Sequence, residues 1–299
     1  MELDKLIEEL KDRNIKKVFV QLPEGLINKY EEIARKFEEY GITPLISIET
    51  TYGYCDVRDE EAVRLGCEAV IHFGHNVFGF ENMKTEIPVY VVEWFIDSDY
   101  MKVFEKILEK INKEEKVGIA HSLQYRRVSE KIYKELENKG IKVEILGQVL
   151  GCNILNIMKK EVDKIFIISA GKFYGIFSCL KSDKKIYLVD LEKNEVLDLK
   201  SYIEKIVKIK EWNKKVFKEE KKIGLLVSWK KGQLRDWEFF YEKLKKMGKD
   251  VYILVFDELE EKMLEGIKVD ILINLACPRI GIDDIDRFKI PILNPEDIF

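Results

Sequence analysis

Cys55, Cys152 and Cys277 are separated by 97 and 125 residues, too far apart for a local CxxC motif. Each follows the end of a predicted strand, in TYGYCD, LGCN and NLACPRIGIDD. Three thiolates brought to one point by a fold could hold three irons of a four-iron cluster, leaving the fourth iron open to a substrate. The same residues fit two blander roles. Structural zinc takes four ligands, and His72, His75 or His121 could complete such a set. Free cysteines also serve simply as small buried apolar groups. Cys67, ahead of a strand, and Cys179, in the apolar IFSCLK, read that way.

The elements that must position these thiols recur three times. Short β-branched runs fall at 16–22, 42–49, 68–74 and 87–93, then at 115–122, 141–147, 162–169 and 184–190, then at 221–228, 250–256, 269–276 and 290–295. The sets start about one hundred residues apart, the length of a small domain and longer than a solenoid unit. Helical stretches separate the first and second strands of each set, and two of them stop at Gly41 and Gly140. Strand–helix–strand alternation with nearly continuous apolar strands predicts parallel sheets covered on both faces. The expected fold is α/β: three similar domains at residues 1–98, 99–200 and 201–299, each a sheet of roughly four parallel strands flanked by helices. The charged helical segments 97–114 and 197–220 would link or bridge them.

In parallel α/β sheets, ligands bind beyond the C-terminal strand ends. Cys55 and Cys152 follow the second strand of their sets, whereas Cys277 follows the third of its own. Other strand ends carry Gly and polar residues: Pro23, Glu24 and Gly25; Gly74, His75 and Asn76; Gly171 and Lys172; Lys230, Lys231, Gly232 and Gln233. Glycine there permits close backbone approach to a ligand, and a cation can meet a carboxylate. His121, in AHSLQYRR, has no evident partner and reads as a turn or surface histidine. Neither GxGxxG nor GxxxxGK[ST] occurs, so neither nucleotide fingerprint applies.

The formal net charge of −4 argues against a general nucleic-acid binder, whose affinity comes mainly from phosphate neutralisation. No apolar run nears the ~18 residues that a membrane span requires. The N-terminal MELDKLIEELKDRN reads as a charged amphipathic helix, not a signal peptide. Cytoplasmic localisation is expected, with no membrane and no nucleic-acid partner. An odd count of five cysteines does not suit a disulfide framework.

QLPEGL, then TYGYCDVRDEEAVRLGCEAVIHFGH, then LGQVLGCN, then NLACPRIGIDD together resemble the radical enzymes of diphthamide biosynthesis, most of all the archaeal homodimeric form. The likeness covers almost the whole chain in the right order. It implies three α/β domains arranged pseudo-threefold around a central [4Fe–4S] cluster, held by one cysteine per domain: Cys55, Cys152 and Cys277. It also implies a transferase that uses S-adenosylmethionine as co-substrate. The 3-amino-3-carboxypropyl group passes to the imidazole C2 of a histidine in translation elongation factor 2, and methylthioadenosine is released. A homodimer and an electron donor come with that reading. Expected S-adenosylmethionine contacts are Gly74, His75, Gly171, Lys230, Gln233 and Arg279, with Lys230 or Arg279 meeting the methionine carboxylate. Tyr54 departs from the family pattern, which has a small residue before the cysteine. Alternatives are a quinolinate synthase-like [4Fe–4S] dehydratase, a non-catalytic iron–sulfur supporting subunit, and a purely structural α/β protein.

Overall fold

The computed structural model describes residues 3–158 and 161–299. Thirteen strands form three sheets among these residues: β1 Lys17–Gln21, β2 Thr43–Ile46, β3 Ala69–Phe73 and β4 Val89–Val92; β5 Lys116–His121, β6 Lys142–Gln148, β7 Lys164–Ser169, β8 Lys185–Asp190 and β9 Glu195–Asp198; β10 Lys222–Ser228, β11 Asp250–Phe256, β12 Ile271–Asn274 and β13 Ile292–Leu293. The strand orders are β2-β1-β3-β4, β6-β5-β7-β8-β9 and β11-β10-β12-β13. Every pairing is parallel except β8 with β9.

The repeat extends to individual hydrogen bonds. Helices Tyr30–Glu38, Arg126–Asn138 and Trp237–Lys246 each lead into the second strand of a set. Each stops at a glycine with positive φ, Gly41 at 73°, Gly140 at 76° and Gly248 at 77°. The N–H after each glycine reaches back to the carbonyl of a buried apolar residue, from Ile42 to Phe37, Ile141 to Leu136 and Lys249 to Leu244. This left-handed stop satisfies carbonyls that the helix end leaves open. At the opposite edge, Glu68, Asp163 and Asp270 accept from the N–H that opens the first strand of their set, at Lys17, Lys116 and Lys222.

The structure differs from the sequence reading in the second sheet, which has five strands. The added β9 folds back antiparallel on β8 through a turn in which Asn194 adopts φ 54°. Its sequence, EVLD, is half charged and lies at a sheet edge, so it lacks the apolar run that marks the buried strands. The expected helical links appear as Met101–Leu108 and Lys200–Glu219.

Two compact units divide the chain. The first holds residues 1–95 together with 230–232, and the second holds 96–229 and 233–299. In the first, helix Leu3–Asp12 buries Leu6, Ile7 and Leu10 against Val18, Val20 and Ile71 of the sheet. In the second, one core joins two sheets: Ile165, Ile167 and Leu188 pack in one cluster with Leu226, Leu272 and Ile292. Helix Lys200–Glu219 adds Ile206 to that core, and the buried Asn213 donates to the Ile292 carbonyl at 3.0 Å. No helix among the described residues is long and apolar enough to cross a membrane.

Candidate functional site: thiols beyond the strand ends

Cys55 lies in the short 3-10 helix Tyr54–Asp56, nine residues past β2. A dense polar frame holds this turn in the first unit. Asp56 is 2% exposed, and its Oδ2 lies 3.0 Å from the Lys230 ammonium, itself 6% exposed. The Asp56 carbonyl accepts from Gln21 Nε2 at 2.9 Å, and Gln21 Oε1 accepts the Arg58 N–H at 3.0 Å. Arg58 Nε is 3.4 Å from Asp56 Oδ1. Asp59 begins the next helix and pairs with Lys231 at 2.8 Å. Tyr54, where the resemblance implies a small residue, is buried and sets its ring edge-on to His72 with centroids 5.7 Å apart. The large side chain thus has a neighbour that accommodates it.

His72 and His75 meet at 3.2 Å through Nε2 and Nδ1. Burial depresses both: His75 falls to about 4, and His72, at no exposure, falls well below its ordinary value, with His75 adding to the effect. Both rings are therefore neutral near pH 7 and can share one N–H···N bond. His121 is buried, not at the surface, and its Nδ1 faces the Ser122 carbonyl at 3.1 Å. Among the described residues, no three His, Cys, Asp or Glu side chains gather as the ligands of a single ion. A four-iron cluster makes a different demand, because its thiolates bind separate irons.

Cys152 sits in a turn past β6 closed by reciprocal bonds between Leu150 and Asn153, at 2.9 and 3.3 Å. Gly151 fits tightly there: a Cβ would fall 1.6 Å from the Phe173 ring. The Arg279 guanidinium covers that ring at 4.3 Å. Cys277 precedes the 3-10 helix Pro278–Gly281, and its carbonyl accepts from Asn274 Nδ2 at 2.9 Å. Asn274 also donates to Asn294 Oδ1 at 2.7 Å, and Asn294 Nδ2 donates to the Pro278 carbonyl at 3.1 Å. Two buried asparagines thereby fix the turn that carries the thiol.

Burial first, and then the neighbouring Cys277, push the Cys152 thiol up to about 11, although its surface still opens to solvent. Burial also raises Cys277, against the pull of Arg279. These two thiols disfavour negative charge until a cation compensates it. Cys152 and Cys277 are near enough for each thiolate to raise the other's cost, and a metal bound by this pair of sulfur donors would displace their protons. Cys152 also lines a cavity of about 160 Å³ beside Pro278 and Asn294. Its walls include the ion pairs Arg235–Glu296 at 3.0 Å and Lys210–Asp297 at 2.8 Å.

The residues expected to contact S-adenosylmethionine fall in both units. In the first, Gly74 has φ 79°, and a Cβ there would lie 2.7 Å from Pro23, so its own packing requires glycine. Lys230 is the buried partner of Asp56. In the second, Gly171, at φ 71°, has open space where a side chain would stand. Gln233 is half-buried. Arg279 is the more accessible cation, with its side chain 44% exposed and paired to Asp283 at 3.0 Å. The asparagine frame and the Asp56 network went unread in the sequence. The available signal was their position: Asn274 ends β12, and Asn294 follows β13.

Three parallel-dominated sheets flanked by helices, with a cysteine beyond a C-terminal strand edge of each, define the class of this α/β protein. The diphthamide synthesis protein family matches residues 22–299, and the chain belongs to it. A relative from Pyrococcus horikoshii, 2-(3-amino-3-carboxypropyl)histidine synthase, is 30% identical over 98% of this chain and 87% of the relative. Subunit 1 of the same synthase from Yarrowia lipolytica is 27% identical over 98% of this chain and 70% of that protein. The crystal structure of Dph2 from Pyrococcus horikoshii with a 4Fe-4S cluster superposes with a TM-score of 0.87, at 29% identity, over 99% of this chain and 89% of that one.

Proposed function

We propose that this chain is a 2-(3-amino-3-carboxypropyl)histidine synthase that modifies one histidine of translation elongation factor 2, the first step of diphthamide synthesis. One observation carries the reading: a chain aligned over nearly its full length with that synthase has a framed cysteine turn beyond a strand end of each sheet. Cys55, Cys152 and Cys277 would hold a [4Fe–4S] cluster, one from each of three domains at 1–98, 99–200 and 201–299. When bound, such a cluster would supply one electron for reductive cleavage of S-adenosylmethionine to methylthioadenosine and a 3-amino-3-carboxypropyl radical; that group would replace the imidazole C2 hydrogen, with one proton and one electron leaving the adduct.

The chain's own residues supply position. Arg279, accessible and held over Phe173, is the better placed cation for the methionine carboxylate. Lys230 already has Asp56. Gly171 leaves open space at the start of helix Phe173–Lys181, where a ligand backbone can approach. Gly74, His75 and Gln233 complete the proposed contacts. A homodimer working in the cytoplasm with a separate electron donor belongs to the same reading.

The test is product analysis with reduced, anaerobically reconstituted protein, S-adenosylmethionine and elongation factor 2. The expected result is a 3-amino-3-carboxypropyl mass gain on one histidine. An unmodified factor in the presence of a loaded, reduced cluster overturns the proposal.

A further inference from the structure

Three residues from the loop after β10 belong to the first unit, although the strand before them and the helix after them belong to the second. All three engage the turn that carries Cys55. The Lys230 ammonium lies 3.0 Å from Asp56 Oδ2, with the two side chains 4% and 1% exposed. The Lys231 ammonium meets Asp59 at 2.8 Å and Glu60 at 3.4 Å. Burial opposes the charge on Lys231, yet these two carboxylates outweigh it and raise the ammonium. The Gly232 N–H donates to the carbonyl of Cys55 itself at 3.1 Å. A Cβ on Gly232 would stand 2.4 Å from the Cys55 Cα and 2.7 Å from its Cβ, closer than non-bonded carbons approach.

The contacts converge on one short stretch of chain, residues 55–60. Gly232 holds Cys55, Lys230 holds the residue after it, and Lys231 holds the start of the helix beyond. Lys230 also lies 5.3 Å from the Tyr52 ring, on the other side of the cysteine in sequence. The backbone contact from Gly232 requires the residue type that lacks a side chain. Buried ion pairs add little net stability but fix one arrangement when both partners are present. An ordinary turn after β10 would need none of these features.

We propose that residues 230–232 form a positioning strap for Cys55, setting where its thiol points. The proposal rests on the reading of Cys55 as a cluster ligand. Lys230, Lys231 and Gly232 are positioning residues, since they act on the thiol through its backbone and neighbours.

The test uses the full-length, cluster-free protein. Each cysteine is alkylated with iodoacetamide, and the rates are read by peptide mass spectrometry. Cys152 and Cys277 serve as internal standards in the same molecule. Gly232→Ala and, separately, Lys230→Met should speed Cys55 relative to both standards by about threefold or more, because thiol reactivity follows exposure. After anaerobic reconstitution, the same variants should retain less iron than the native chain and give an altered electron paramagnetic resonance spectrum. Native Cys55 rates in both variants overturn the proposal, as does equal acceleration of every cysteine, which marks general loosening. Lys230→Met that weakens S-adenosylmethionine binding while leaving Cys55 at its native rate assigns the lysine to the carboxylate instead and overturns its place in the strap. The labelling needs neither cluster nor co-substrate, so it stays readable if the catalytic proposal fails.

Discussion

His72 and His75 carry a consequence for pH. Burial depresses the folded-state value of His75 from 6.5 to about 4, and that of His72 well below its ordinary value. Between pH 6.5 and pH 4 the unfolded chain therefore binds protons that the folded chain does not. Stability is full above that window and falls as the pH drops through it. The His75 shift alone corresponds to at most about 3 kcal/mol. The unfolding free energy from urea titration should therefore drop more steeply from pH 7 to pH 4.5 in the native protein than in His75→Asn. Equal slopes would contradict this account of the pair.

The threefold repetition of stops and strand caps makes its own prediction at the scale of the elements. Gly41, Gly140 and Gly248 all have positive φ and open space around a built Cβ, so alanine at each would meet backbone strain and no clash. Each substitution should cost about 1 kcal/mol, and the three costs should agree, as read by denaturant midpoints of the single variants. A markedly larger loss at one would show that the three stops are not equivalent. The β-branched runs made twelve of the thirteen strands legible in the sequence, because parallel strands covered on both faces must be apolar almost throughout. β9 escaped because an edge strand paired on one side needs no such run. The cysteine turns were legible from their place after strands. The frames around them were not: Asn274 and Asn294 are twenty residues apart, and Lys230 and Asp56 are 174 apart. Side chains that pair across such distances carry no local periodicity. Tyr54 departs from the family pattern, and its fit rests on His72, which lies 18 residues on and packs edge-on to its ring.

At the scale of the whole molecule, the chain covers most of the length of its archaeal relatives, and its family membership rests on nearly all of its residues. The net charge of −4 argues against a general affinity for nucleic-acid phosphates. The proposed function requires one cysteine from each sheet to ligate one cluster. Its most direct measurement is iron and sulfide content, with electron paramagnetic resonance of the reduced protein, after anaerobic reconstitution of five single variants: alanine at Cys55, Cys152, Cys277, Cys67 and Cys179. A four-iron cluster is expected in the Cys67 and Cys179 variants, as in the native chain, with its loss or degradation in each of the other three. A native four-iron signal in the Cys55, Cys152 or Cys277 variant would contradict it, as would a cluster that depends on Cys67 or Cys179.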